Sequence, residues 1–355
     1  MTKWLQTKLA LVCAVCLLCA MTSGYAAVDQ DPTGENAAYE KLYVYVDDVL
    51  EYTGYEINHT TYVPLRSFCR TLDMGAAMTW DSTTGRFSAT LNEKIVTETV
   101  TMLEPAAEEA FAEPEPTPEV LPELVAPGED AVTAEETPAE LPAELPVPTP
   151  KPTPVVTQTV HYVPHSISAG AGDIYMIVDE RAIYLGVPIV NHGGNILVPL
   201  DGLCRAFNLQ AAYDETLGGV NISTAQLQVI APGSSVYNET DLHWLARIIH
   251  AEAGNQPMEG RICVGNVVLN RVKSDRFPDT IKDVILSPGQ FCPVASGNVY
   301  CTPSPESIAA AKLCMEGVNL AGESTYFVNP VTGVTGWFRN NLTYVMSVGE
   351  HDFYY

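Results

Sequence analysis

Apolar positions change their period several times along the chain, and the changes mark its organisation. A first run, Leu9 to Met21, is apolar without interruption, follows Lys3 and Lys8, and is succeeded by small residues at Gly24 and Ala26. It is too short to cross a bilayer comfortably and has the layout of a secretory signal, so residues 1–26 are expected to be a signal peptide and the chain to be exported, with no transmembrane segment left in the mature form. A lipoprotein reading fails, because Cys13, Cys16 and Cys19 each follow a bulky Val or Leu.

Short alternating segments and one helical face then occur twice. Thr61-Tyr-Val-Pro-Leu-Arg-Ser-Phe-Cys-Arg70 returns 135 residues later as Ile196-Leu-Val-Pro-Leu-Asp-Gly-Leu-Cys-Arg205. The likeness extends to Val46-Asp47-Asp48 and Val178-Asp179-Glu180 upstream, and to Met78-Thr79-Trp80-Asp81 and Ala211-Ala212-Tyr213-Asp214 downstream. Leu65, Phe68 and Leu72 share one helical face, as do Leu200, Leu203 and Phe207. Pro64 and Pro199 stand where a strand passes into a helix, a place that suits a residue without an N–H. Each copy therefore reads as strands, a short helix and a closing hairpin. From Tyr237 on the period becomes helical, with Asn238 to Asp241 as a start, apolar Leu242, Leu245, Ile248 and Ile249, and a stop at Gly254 and Pro257. A second helix is expected over Glu259 to about Lys273, a short one from Phe277-Pro278, another from Ser304-Pro305 to Gly317, and a strand over Thr325–Val328.

Composition changes the picture in one stretch. The 355 residues carry 43 acidic and 18 basic side chains, a net −25, which argues against a nucleic-acid partner. Residues 101–160 hold 13 of those acids against the single Lys151, and 13 of the 26 prolines. Such a segment cannot bury enough apolar surface to offset the entropy of ordering it, so it reads as a disordered Pro/Glu-rich linker. Among the cysteines, Cys69 and Cys204 read as buried thiols at equivalent places, and Cys292 and Cys301, flanking a hairpin-like Ser296-Gly297-Asn298, as a possible disulfide.

The strongest chemical signal is Glu252. It follows Leu245, Ile248 and Ile249 by seven, four and three residues, so it shares the face that those residues bury. Lost hydration and the negative end of the helix dipole both favour its protonated form. A carboxylic acid that keeps its proton near neutral pH is what cleavage of a glycosidic bond requires, since the leaving oxygen must be protonated as it departs. The plainer reading is a Glu that reaches solvent from a fraying last turn. His243 and His250 lie seven apart without a third ligand, so no metal is expected. A thiol peptidase built on Cys292 and His351 is disfavoured for want of an activating helix N-terminus.

Two resemblances add to this. The Val-Pro-Leu repeats with Trp80-Asp81 resemble the copper-amine-oxidase N-terminal-like stalk domain, over about 41–98 and, more weakly, 173–232, with Asp201 and Tyr213 in place of Arg66 and Trp80. No histidine cluster suggests copper. Leu245-Ala-Arg-Ile-Ile-His-Ala-Glu-Ala253, Val267-Val-Leu-Asn-Arg-Val-Lys273, Phe277-Pro-Asp-Thr-Ile281, Gly289-Gln-Phe291 and Gly349-Glu-His-Asp-Phe353 together resemble the SleB-like cell-wall hydrolase family. That resemblance implies a mainly α, lysozyme-like or lytic-transglycosylase-like domain over 237–355, acting on peptidoglycan glycan strands between N-acetylmuramic acid and N-acetylglucosamine, with Glu252 as its catalytic acid and no cofactor. Gln256, Glu259, Asn270, Arg271, Gln290, Phe291 and Trp337 are the expected substrate contacts, although Glu259 also fits an exposed acid in a first helical turn. The family's Ala-Arg-Gly-Glu-Pro is here Ala253-Gly254-Asn255-Gln256-Pro257. A wall-binding protein impaired by that change, a muramidase with a second carboxylate, and an amidase are the rivals. The expected architecture is thus multidomain: two small α+β stalk-like modules set apart by the linker, holding the enzyme to a Gram-positive type envelope, and the catalytic domain last.

Overall fold

A computed structural model describes residues 39–72, 75–103, 153–331 and 335–355; the expected signal peptide and residues 104–152 of the expected linker lie outside the described residues. The first repeat forms β1 (Glu40–Val46), β2 (Val49–Ile57), β3 (Thr60–Pro64), α1 (Leu65–Thr71), β4 (Ala77–Asp81) and β5 (Arg86–Leu103). The second forms β7 (Tyr175–Val178), β8 (Arg181–Tyr184), β9 (Val190–His192), β10 (Asn195–Pro199), α2 (Leu200–Phe207), β11 (Gln210–Asp214) and β12 (Gly219–Ser223), preceded by β6 (Thr153–Gly170). Pro64 and Pro199 precede α1 and α2 with φ of −64° and −55°, so each ends a strand and opens a helix.

The two repeats do not fold as separate modules. One seven-stranded sheet has the order β11-β12-β1-β2-β3-β10-β9, and a five-stranded sheet the order β4-β5-β6-β7-β8, so each sheet contains strands of both copies. β1 runs parallel to β12, with Val44 opposite Val220, and β3 runs antiparallel to β10, with Val63 opposite Val198. The faces of α1 and α2 meet: Phe68 and Phe207 lie edge to face at 5.4 Å, and Leu65, Leu200 and Leu203 are buried around them. The reason is physical: a repeat of about 60 residues buries too little apolar surface alone, and pairing copies joins two half-cores. The segment 101–160 accordingly does not set two modules apart. It connects β5 to β6, neighbours in one sheet, and residues 101–103 and 153–160 are themselves strand. Residues 94–163 form a second unit by themselves, in which Gln158 Nε2 donates to Glu98 Oε1 at 2.7 Å.

At the root of that excursion His165 is buried between two carboxylates, Nδ1 against Asp179 Oδ2 and Nε2 2.9 Å from Glu93 Oε2. Ionised carboxylates only accept, so with both partners charged the two ring nitrogens donate and the ring carries a positive charge. Burial pulls its pKa down, but the hydrogen bonds to Asp179 and Glu93 outweigh this and raise it.

Behind α3 (Gly233–Val236), the C-terminal region packs α4 (Glu239–Ala253) against α5 (Met258–Val272) and α8 (Pro305–Met315), with the shorter α6 (Ile281–Leu286) and α7 (Cys292–Ser296) at one end. Asn238 caps α4 by accepting from the Asp241 N–H at 3.1 Å. A sheet of order β13-β15-β14, from Tyr326–Val328, His351–Tyr354 and Tyr344–Val348, closes the region, with α9 (Thr335–Asn341) between β13 and β14. Arg181 of the repeat domain pairs with Glu316 at the end of α8, Tyr237 Oη donates to Glu316 Oε1 at 2.6 Å, and Lys312 Nζ donates to the Glu180 carbonyl at 2.6 Å.

Candidate active site

Glu252 stands in the last turn of α4, half-buried, behind the fully buried Leu245, Ile248 and Ile249. The helix stops at Gly254, where a Cβ would come within 2.5 Å of the His250 carbonyl, and Arg261 Nη2 donates to the Gly254 carbonyl at 2.7 Å. Burial raises the Glu252 pKa to about 7, against the opposing pull of Arg271. Desolvation is thus the larger effect and favours the protonated form.

Arg271 is the other charge here. It comes from the end of α5 and is 4% exposed, with its guanidinium carbon 4.8 Å from the Phe291 ring centre, 5.1 Å from Phe277 and 5.5 Å from Tyr326. Nε donates to the Thr325 carbonyl at 2.7 Å, while buried Nη1 has no partner. Burial pushes its pKa down to about 10, so it remains a cation across the neutral range. The aromatic box favours a weakly hydrated guanidinium over an ammonium.

The remaining expected contacts divide. Asn270 donates to the carbonyls of Gly322 and Ser324 at 2.8 and 2.9 Å, and Asn266 Nδ2 donates to that of Val318 at 2.7 Å, so the polar end of α5 fastens the 318–325 loop. Gln256 is buried: its Oε1 accepts from the Glu350 N–H at 2.9 Å and its Nε2 donates to Glu350 Oε2 at 3.2 Å. It ties the β14–β15 turn to the α4–α5 junction, and at Gly349 a Cβ would lie 2.3 Å from its Oε1. The Asn270 Nδ2 and the Gln256 amide are thus engaged within the protein. Phe291 is buried under Arg271, Gln290 is exposed beside it, and Glu259 lies in the first turn of α5. Trp337 lies in α9, 52% exposed, with its ring 6.1 Å from Tyr326.

Sequence reasoning missed Thr325 and Tyr326, which bring Arg271 to its place; the aromatic alternation of β13 was the one available signal. Register sets Tyr326, Tyr354 and Tyr344 side by side across the three strands. A cavity of about 450 Å³ lies on this face, lined by Arg339, Leu342, Tyr344, Ser347, Asp352 and Tyr354. Cys292 and Cys301 are both free and exposed, because Cys292-Pro293 opens α7 rather than one arm of a hairpin; no disulfide joins them. Cys292 does begin a helix, yet His351 is buried against Phe327 and Phe353, so the two form no thiol–imidazole pair. No group of His, Cys, Asp and Glu side chains suited to a metal occurs among the described residues. Nor is any described helix long and apolar enough to cross a membrane.

Comparison with known proteins bears on this region. The Cell Wall Hydrolase family profile matches residues 255–354, beginning three positions after Glu252. Over 117 residues the chain is 33% identical to a spore cortex-lytic enzyme of Halalkalibacterium halodurans and 30% identical to one of Bacillus subtilis. Each match covers 33% of this chain, and 35% and 38% of the relatives, so the chain spans well under half of their length. Among solved structures, the catalytic domain of the germination-specific lytic transglycosylase SleB from Bacillus anthracis is 30% identical. It covers 35% of this chain and all of that one, with a TM-score of 0.33.

Proposed function

We propose that this chain, whose C-terminal region is a cell wall hydrolase domain, is an exported enzyme that cuts the glycan strand of peptidoglycan between N-acetylmuramic acid and N-acetylglucosamine. The observation that carries the reading is Glu252, a half-buried carboxyl holding its proton up to about 7 beside a boxed cation. As the glycosidic bond breaks, Glu252 gives its proton to the departing oxygen. Its carboxylate, stabilised by Arg271, then takes the proton of the muramic acid's own hydroxyl while that oxygen closes an anhydro ring. One acid thus acts first as donor and then as acceptor. A hydrolytic route needs a second carboxylate within roughly 5–10 Å as nucleophile or base. No clear second carboxylate stands out in the sequence around Glu252, and the single-acid route is preferred on that ground. The repeat domain would hold the enzyme to the envelope of a Gram-positive type wall.

Zymography of the full chain and its Glu252→Gln variant tests the reading, with mass spectrometry of the released muropeptides. Clearing by the native chain alone, with anhydro-ended products, supports it. Exclusively reducing ends replace the transglycosylase with a muramidase, and released peptides on intact glycan indicate an amidase. No clearing by either chain leaves a wall-binding protein.

A further inference from the structure

The repeat domain holds a second cavity, of about 300 Å³, which exists only because the repeats share one fold. Its wall combines Arg66, Trp80 and Phe87 of the first copy with Asn191, Gly194 and Asn195 of the second. Trp80 and Phe87 are opposed across β4 and β5, the Arg66 guanidinium carbon sits 5.7 Å from the Phe87 ring centre, and the β9–β10 turn forms the rim. That turn has φ of +57° at Gly193 and +80° at Gly194, a conformation that disfavours side chains and leaves the mouth open. Trp80, the largest aromatic side chain, is 43% exposed. Among the described residues Arg66 has no ionic partner, and the side-chain amides of Asn191 and Asn195 make no hydrogen bond. In the second copy these features are gone: Asp201 replaces Arg66 and pairs with Arg205 at 3.0 Å, and Tyr213 replaces Trp80.

We infer that this inter-repeat cavity binds an acidic sugar. An indole face takes the C–H side of a pyranose ring, side-chain amides meet hydroxyls as both donors and acceptors, and a guanidinium without a carboxylate partner calls for an anion. The anion is a carboxylate or a phosphate on the saccharide. Two wall sources share that chemistry, muramic acid with its lactyl carboxylate and a polyol-phosphate wall polymer. The site deepens the envelope-holding part of the function proposed above and rests on that reading for its location, but it uses nothing of the Glu252 chemistry.

Calorimetric titration of the full chain tests it with three probes: an N-acetylglucosaminyl-N-acetylmuramic acid disaccharide, a glycerol-phosphate oligomer and neutral chitobiose. The native chain should bind one acidic probe, and whichever it is identifies the source. Trp80→Ala and Arg66→Gln should each weaken that binding roughly tenfold or more, while Glu252→Gln leaves the same component in place. Arg66 is exposed, so its variant keeps the test valid if Trp80→Ala lowers the melting temperature. Isotherms that neither substitution alters, or chitobiose bound as tightly as the acidic probes, overturn the inference. A chain that cleaves glycan but is indifferent to both substitutions sinks this site alone; one that binds through them without cleaving sinks the catalytic reading alone.

Discussion

Replacing Arg271 with methionine keeps the stem that fills the aromatic box and removes the charge that opposes the effect of burial on Glu252. An opposite charge close to a carboxylate, in surroundings of effective dielectric about 20, stabilises it by about 3 kcal/mol, or close to two pH units. Arg271 and Glu252 form no ion pair, and Glu252 is open to solvent on one side, which about halves that figure. A general acid works only while protonated, so kcat/KM falls as pH rises through its pKa. Removing a cation makes the carboxylate less favourable, so the alkaline limb, near 7 in the native chain, should move up by about one to two pH units in Arg271→Met. Arg271→Lys keeps the charge and should leave the limb close to its native position. Initial rates of muropeptide release between pH 5 and 9.5, at constant ionic strength, give the comparison. Thermal melts guard against a general loss of fold, since the Thr325 carbonyl loses its donor in both variants. A limb that stays in place in the methionine variant, or moves to lower pH, refutes the electrostatic role of Arg271.

Three further outcomes follow from the packing. The raised pKa of His165 makes its stabilisation fully present below the ordinary value of about 6.5 and lost as pH rises through the folded-state value; the native melting temperature should therefore drop on going alkaline, and His165→Asn should flatten that part of the profile. Gln256→Ala removes the acceptor of the part-buried Glu350 N–H and should cost about 0.5–1.5 kcal/mol in urea unfolding, a loss under half of the lower figure counting against the tie. In the mature chain without reductant, Cys292 and Cys301 should react at once with a thiol reagent, whereas Cys69 and Cys263, pushed up to about 12 by burial, and the equally buried Cys314 should react only after unfolding. Absence of the two fast thiols would mean that a disulfide forms after all.

Local periodicity carried much of this architecture. The i, i+3 and i+4 spacing from Leu245 to Ile249 was enough to place Glu252 on an inward helical face, and proline at positions 64 and 199 marked two strand-to-helix junctions that the fold keeps. What escaped depends on contacts distant in sequence. Arg271 reaches its box because a loop fastened by Asn266 and Asn270 presents the Thr325 carbonyl, and nothing in the spacing of α5 announces that. The repeat was visible, but similarity between copies does not say that Val63 will pair with Val198; two self-contained modules and one shared sheet have the same alternation. Cys292 misled for a related reason, since Ser-Gly-Asn turns end helices as readily as they join strands.

The merging of the repeats also alters what the acidic segment is. Its ends leave one sheet on adjacent strands, close to where Glu93 meets His165, so the chain departs from a point and returns to it. However many residues such an excursion contains, it adds nothing to the distance between the repeat cavity and Glu252. For a connection between neighbouring strands, the closure cost grows only with the logarithm of the length of the segment. A protease that cuts within it would release no domain. It would yield two polypeptides held together by the β1–β12 and β3–β10 ladders.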